Sequence, residues 1–202
     1  MKPIITLLIC VLVSSTPTLA QSIKKLSIQA GYLYSTSTLT PTTYYAIGLP
    51  YINPKPGYYI GLTYERQLST LLTSRLELTY QHKGYIGENP YISESINTYR
   101  YLGLTPMAGI RPIKNLRFLI GPQLNLLVHK SSNGLETQPL IDGGRWLEFG
   151  LVSRVSYQYS RVGLTASYFK GLTNYFKIDF YNLTNQNWQL GLFYQLNKHK
   201  SY

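Results

Sequence analysis

Residues 57–85, GYYIGLTYERQLSTLLTSRLELTYQHKGY, hold two alternating segments and one short turn in a single run. In the first half Tyr58, Ile60, Leu62 and Tyr64 share one parity, while Tyr59, Gly61, Thr63 and Glu65 share the other. In the second half Leu76, Leu78 and Tyr80 alternate with Arg75, Glu77, Thr79, Gln81 and Lys83. Successive side chains of a strand point to opposite faces, so this pattern predicts a hairpin with one apolar face and one polar, glycine-containing face, turning near Leu68 to Leu71. A soluble sheet shows the same alternation. The recurrence of the pattern along the chain, and the segment that precedes it, decide between the two.

The N-terminus carries Lys2, an apolar run from Ile4 to Val13, and a small-residue stretch ending at Ala20. That is the layout of an export signal, and it is too short to span a bilayer. The expected domains are therefore a signal peptide at 1–20 and one barrel domain at 21–202. The single cysteine, Cys10, lies within the leader, and the bulky Ile9 before it argues against a lipoprotein cleavage site. Beyond residue 20 there is no thiol for a disulfide or a cysteine metal site. No later stretch of about 18 apolar residues offers a helical span. A closed barrel is then the one membrane-spanning option, because backbone polar groups inside lipid must pair within the protein. The 20 tyrosines, against 6 phenylalanines and 2 tryptophans, suit strands and membrane–water interfaces.

Taken in order, strands are expected from about Leu26 to Ser35, across the two halves of 57–85, from Tyr99 to Ile110, from Leu116 to His129, from Leu147 to Tyr157, from Val162 to Tyr168 and from Trp188 to Leu196. Polar or proline-containing segments at 37–56, 86–95, 130–144 and 172–186 read as loops, and they alternate with short turns near Leu68–Leu71, Pro112–Asn115 and Gln158–Ser160. Outer-membrane barrels have an even number of strands of about ten residues, short periplasmic turns and longer external loops. The expected fold is thus all-β, an eight-stranded antiparallel up-and-down transmembrane barrel with long extracellular loops.

The inward parity carries Gly31, Gly61, Gly103, Gly109, Gly121, Gly150, Gly163 and Gly191, consistent with large neighbours filling a narrow bore or with strand curvature. The same face carries Glu65, Arg75, Glu77, Lys83, Arg117, Glu148 and Arg154. A turn centred near Thr70 makes Glu65 and Arg75 direct cross-strand partners. Glu65, Arg75, Glu77, Arg117, Glu148 and Arg154 are expected to form a lumen network that plugs the barrel. Carboxylates this sparse make a poor acid–base site, so no catalytic residue, cofactor or metal is expected. His82, His129 and His199 fall in separate elements without metal spacing, and phosphate-loop or nucleophile-elbow motifs are lacking. Asn182-Leu183-Thr184 fits a glycosylation acceptor only on a eukaryotic secretory route.

The net charge is +11, and loss of Lys2 with the leader lowers it by one, to +10. Export argues against nucleic acid as the partner of this charge and for lipid phosphates at a membrane surface. Arg100 and Lys170 lie near the external strand ends and are the expected lipopolysaccharide contacts.

The run GLTYERQLS…LELTYQHKG within Gly57–Tyr85 resembles the outer-membrane β-barrel domain common in Bacteroidetes, the PorT-like or porin-family small barrels. Members show a Gly-aromatic strand, a short turn and a Glu-Leu-x-Tyr-x-x-Lys-Gly strand. Tyr101-Leu102-Gly103-Leu104, Gly121-Pro122 and Trp188 to Leu196 are similar to later segments of that family, so the resemblance covers nearly all of the chain after residue 20. It departs at Pro106, which is shifted from the family position, and at the terminal NKHKSY. The resemblance implies location in the bacterial outer membrane and, for a few relatives, assistance to a secretion or gliding system. It transfers no functional residues.

The resulting expectation is a monomer embedded in outer-membrane lipid and lipopolysaccharide, meeting envelope or secretion proteins through loops that carry Tyr44, Tyr45, Tyr51, Tyr91, Tyr175 and Tyr181. The alternatives are a narrow pore or secretion accessory, and a soluble lipocalin-like carrier with its apolar face turned inward.

Overall fold

The structure, a computed structural model, describes residues 24–41, 51–89, 92–133, 135–137, 146–174, 176–178 and 181–197. Its strands are β1 (Lys24–Pro41), β2 (Tyr51–Gln67), β3 (Leu72–Asn89), β4 (Ile92–Ile113), β5 (Leu116–Ser132), β6 (Leu135–Thr137), β7 (Leu147–Tyr159), β8 (Val162–Gly171), β9 (Phe176–Ile178) and β10 (Tyr181–Gln195). Neighbours pair antiparallel in the order β1-β2-β3-β4-β5-β7-β8-β10, and β10 returns to pair with β1, which closes an eight-stranded barrel. β6 only extends β5, and β9 only extends β10. Closure leaves no long strand with an unpaired edge, as a lipid-embedded sheet requires.

Alternation along each strand sorts the side chains. Tyr58, Ile60, Leu62 and Tyr64 on β2 are 50, 55, 48 and 43 % exposed, although Ile60 and Leu62 gain nothing from water. Leu76 and Leu78 on β3, Ile120 on β5, Leu164 on β8 and Leu190 and Leu192 on β10 continue the same outward belt. Tyr32, Tyr34, Tyr58 and Trp188 rim it on one side, and Tyr64, Tyr157, Tyr159 and Tyr194 on the side of the short turns. Two aromatic girdles around an apolar band are the signature of a barrel solvated by lipid. A soluble carrier would turn this face inward, so the belt excludes that alternative.

The strands run well past the belt, which corrects the loop expectations. Residues 37–41 belong to β1, and residues 51–56 belong to β2 despite Pro54 and Pro56. A register shift between Pro54 and Tyr58 breaks the β2–β3 ladder where a proline has no N–H to give. Of residues 86–95, all but Pro90 and Tyr91 are strand, with Ile86 opposite Ile96 and Gly87 opposite Ser95. The second external connection is therefore short, not long. Lys130 to Ser132 also stay paired, to β4 and to β6, and Asn133 then turns with φ 49°. Above the lipid both faces of a ribbon meet water, so the backbone ladder persists after the alternation of hydrophobicity has stopped. The segment 1–20 expected as a signal peptide, Tyr44, Tyr45, Tyr91, Tyr175 and the basic tail beyond Asn197 lie outside the described residues. Tyr51 opens β2 and is 71 % exposed.

Candidate functional site

Inward-facing positions from all eight long strands fill the bore in layers. Nearest the short turns, Glu65 of β2 and Arg75 of β3 are direct partners in the ladder. Arg75 Nη2 and Nε donate to Glu65 Oε2 at 2.6 and 3.1 Å. Arg117 reaches the same carboxylate from β5, with Nε 2.9 Å from Oε1. One layer further, Arg154 of β7 crosses the bore to Glu77 of β3, Nη1 to Oε1 2.5 Å, and the same Nη1 donates to Gln29 of β1 at 3.1 Å. β7 lies three strands from β3 in one direction and three from β1 in the other, so Arg154 is a strut and not a neighbour contact. Arg75 Nη1 lies 3.5 Å from Glu77 and joins the two layers.

Toward the external end Glu148 of β7 takes Lys83 Nζ at 2.7 Å and Asn125 Nδ2 at 2.8 Å on one oxygen, and Asn185 Nδ2 at 2.6 Å on the other. Lys83 Nζ also sits 4.4 Å from the Tyr101 ring centre and 4.9 Å from that of Phe169, within cation–π range. Tyr99, Tyr101, Leu127 and Leu183 form an apolar layer here, with Ile52 and Tyr85 packed against it. Sequence reasoning named Lys83 as inward but missed Asn125 and Asn185 as its co-ligands. Asn185 falls in a segment read as loop, and only the continuation of β10 to Tyr181 brings it inside.

The glycines make room. Tyr59 stands opposite Gly31, which is itself paired with Gly191, and its ring lies over both. A Cβ on Gly31 would come 2.7 Å from Tyr59 Cε1, and one on Gly150 would come 2.5 Å from Phe169 Cζ. The polar parity also hides an apolar cluster, Met107, Leu119, Val152 and Phe169, between the ionic layers. The lumen is packed by large side chains resting on glycine floors, as the narrow bore of an eight-stranded barrel demands.

Comparison with solved structures gives the same architecture. Neisserial surface protein A superposes with a TM-score of 0.57 at 14% identity, over 85% of this chain and 97% of that one. OprG of Pseudomonas aeruginosa superposes with a TM-score of 0.50 at 9% identity, over 88% and 98%. At such identities the likeness is one of fold. This chain has the fold of the outer-membrane β-barrels. No family model matches the sequence, and no curated protein matches it in sequence. Among the described residues of the barrel, no three His, Cys, Asp or Glu side chains group as a metal site.

The two cations expected at lipid phosphates, Arg100 and Lys170, are both exposed on the outer surface of the barrel. Arg100 on β4 stands between His82 of β3 and His129 of β5, just external to Leu102 of the belt. Lys170 on β8 pairs with Gln186 of β10 and Leu151 of β7, next to the Tyr168–Trp188 ring contact. β5 and β7 separate their strands, so the structure does not bring the two cations together on one patch.

Proposed function

We propose that this barrel is a non-catalytic surface protein: its lumen is closed by side chains, and its working surface is the set of strand extensions that project beyond the external girdle. The observation that carries this reading is the Arg154 strut. A guanidinium that bonds Glu77 on one wall and Gln29 on another spans the bore at mid-depth, which supports a lumen obstructed by side chains. In this reading Arg100 and Lys170 meet the phosphates of two different lipopolysaccharide molecules, since they lie on separate sides. The likeness of Gly57–Tyr85 to PorT-like barrels supports envelope proteins, including secretion components, as the class of partner at the external ribbons. A photo-crosslinker introduced at exposed Tyr51 in intact cells tests the surface role. A discrete heavier adduct is expected, and absence of any protein or glycolipid adduct from Tyr51 and from neighbouring β3 positions would remove it.

A further inference from the structure

At the periplasmic mouth, below the Glu65 layer, the barrel encloses a cavity of about 420 Å³ whose charged lining is Lys25, Arg111, Lys114 and Arg117. Among the described residues Glu65 is the one carboxylate that reaches this layer, and Arg75 already holds its Oε2 with two donors. Arg117 is 1 % exposed. Its Nη2 donates to Gln158 Oε1 at 2.5 Å, but Nε meets Glu65 off the hydrogen-bonding line and Nη1 has no partner. Lys25 Nζ shares that Gln158 oxygen at 3.0 Å, and Arg111 Nη1 is held by Gln67 Oε1 at 3.0 Å. Neutral amides therefore position Lys25 and Arg111 without neutralising them, and Arg117 shares its one carboxylate, Glu65, with Arg75. A buried guanidinium edge with an unpartnered nitrogen asks for an acceptor.

We propose that this mouth is a binding site for a multiply charged oxyanion, a phosphate monoester or inorganic phosphate, entering from the periplasmic side. Several converging cations select for charge greater than one, which a single carboxylate does not carry. The planar edge of Arg117 supplies the geometry that phosphate oxygens accept in pairs. The site lies below the lumen network, shares Arg117 with its lowest layer, and does not depend on whether the lumen conducts. Its ligand comes either from solution or from the headgroup of an inner-leaflet phospholipid, whose phosphate lies at the level of the short turns.

The test is the side-chain Nε–Hε resonance of Arg117 in the folded barrel, held in nanodiscs of phosphatidylcholine and titrated with inorganic phosphate. A second arm uses nanodiscs that contain phosphatidic acid, in buffer without inorganic phosphate. A saturable shift with phosphate supports a soluble ligand, and a shift only with phosphatidic acid supports a lipid headgroup. The variant Arg111→Gln/Lys114→Gln alters rim residues outside the buried network, keeps the fold, and is expected to weaken either response at least tenfold. Arg117→Gln serves as a second variant and should abolish phosphate protection of the remaining rim cations. No shift in either arm, or a response unchanged by the rim substitutions, would overturn the proposal.

Discussion

Glu148, near the external end of the lumen, meets one ammonium and two amides that use both of its oxygens, whereas Glu65, near the periplasmic end, is shared by two guanidiniums and leaves one of them with an idle nitrogen. The first cluster is balanced, buried and overlain by Tyr99, Tyr101, Leu127 and Leu183. The second is cation-rich and opens onto the cavity lined by Lys25 and Arg111. A buried charge without its partner is expensive, so the sealed end depends on every member of its cluster. The surplus cations of the mouth line the cavity that the proposed anion would occupy. In the proposed reading, stability and recognition fall at opposite ends of one bore.

The largest expected effect comes from breaking the sealed cluster. Glu148→Ala strands Lys83 away from solvent and should cost about 3–5 kcal/mol in urea unfolding from a bilayer, with a matched Lys83→Met/Glu148→Leu pair recovering most of the loss. An equal cost for the single and paired variants would show that Lys83 is not held by this carboxylate. Next, Leu62→Arg in the middle of the outward belt should cost about 2–4 kcal/mol in bilayers. The same change at exposed Tyr51, beyond the belt, should be neutral, and equal effects at the two sites would misplace the membrane.

Smaller is the loss at the open end: Glu65→Ala should cost about 1–3 kcal/mol, because hydration through the mouth relieves Arg75 and Arg117. A cost that matched Glu148→Ala would erase the contrast between the ends. Smallest in stability is Arg100→Ala/Lys170→Ala, expected within about 0.5 kcal/mol of the parent since both side chains are exposed. Its readout is lipid A co-purification, which should fall, with each single variant losing part of it as two independent contacts would. Unchanged association in the double variant would refute lipopolysaccharide contact at these positions.

What the sequence made legible follows from where alternation has a physical cause. Between the girdles lipid lies on one side and packed side chains on the other, so Leu76, Leu78 and Tyr80 against Glu77, Thr79 and Gln81 could be read directly. The inward placement of Glu65, Arg75, Glu77, Arg117, Glu148 and Arg154 follows from that parity. Their pairings do not, apart from Glu65 with Arg75, because contacts across a bore depend on strand number and stagger. Beyond the external girdle, water on both faces removes the periodic signal, and prolines at 54 and 56 read as loop although a bulge admits them to β2. Phe169 and Met107 show the converse limit. Parity marked their face as polar, but a bore floored with glycine takes aromatic and apolar side chains wherever they fill it.

The central claim is that side chains close the lumen, and planar-bilayer recording of the purified barrel tests it most directly. The wild-type protein should give no unitary current, while Arg154→Ala, which removes the strut, should admit small ion-selective openings. Steady unitary conductance in the wild type that scales with substitution at Arg117 or Arg154 would contradict a closed bore and identify the barrel as a narrow pore.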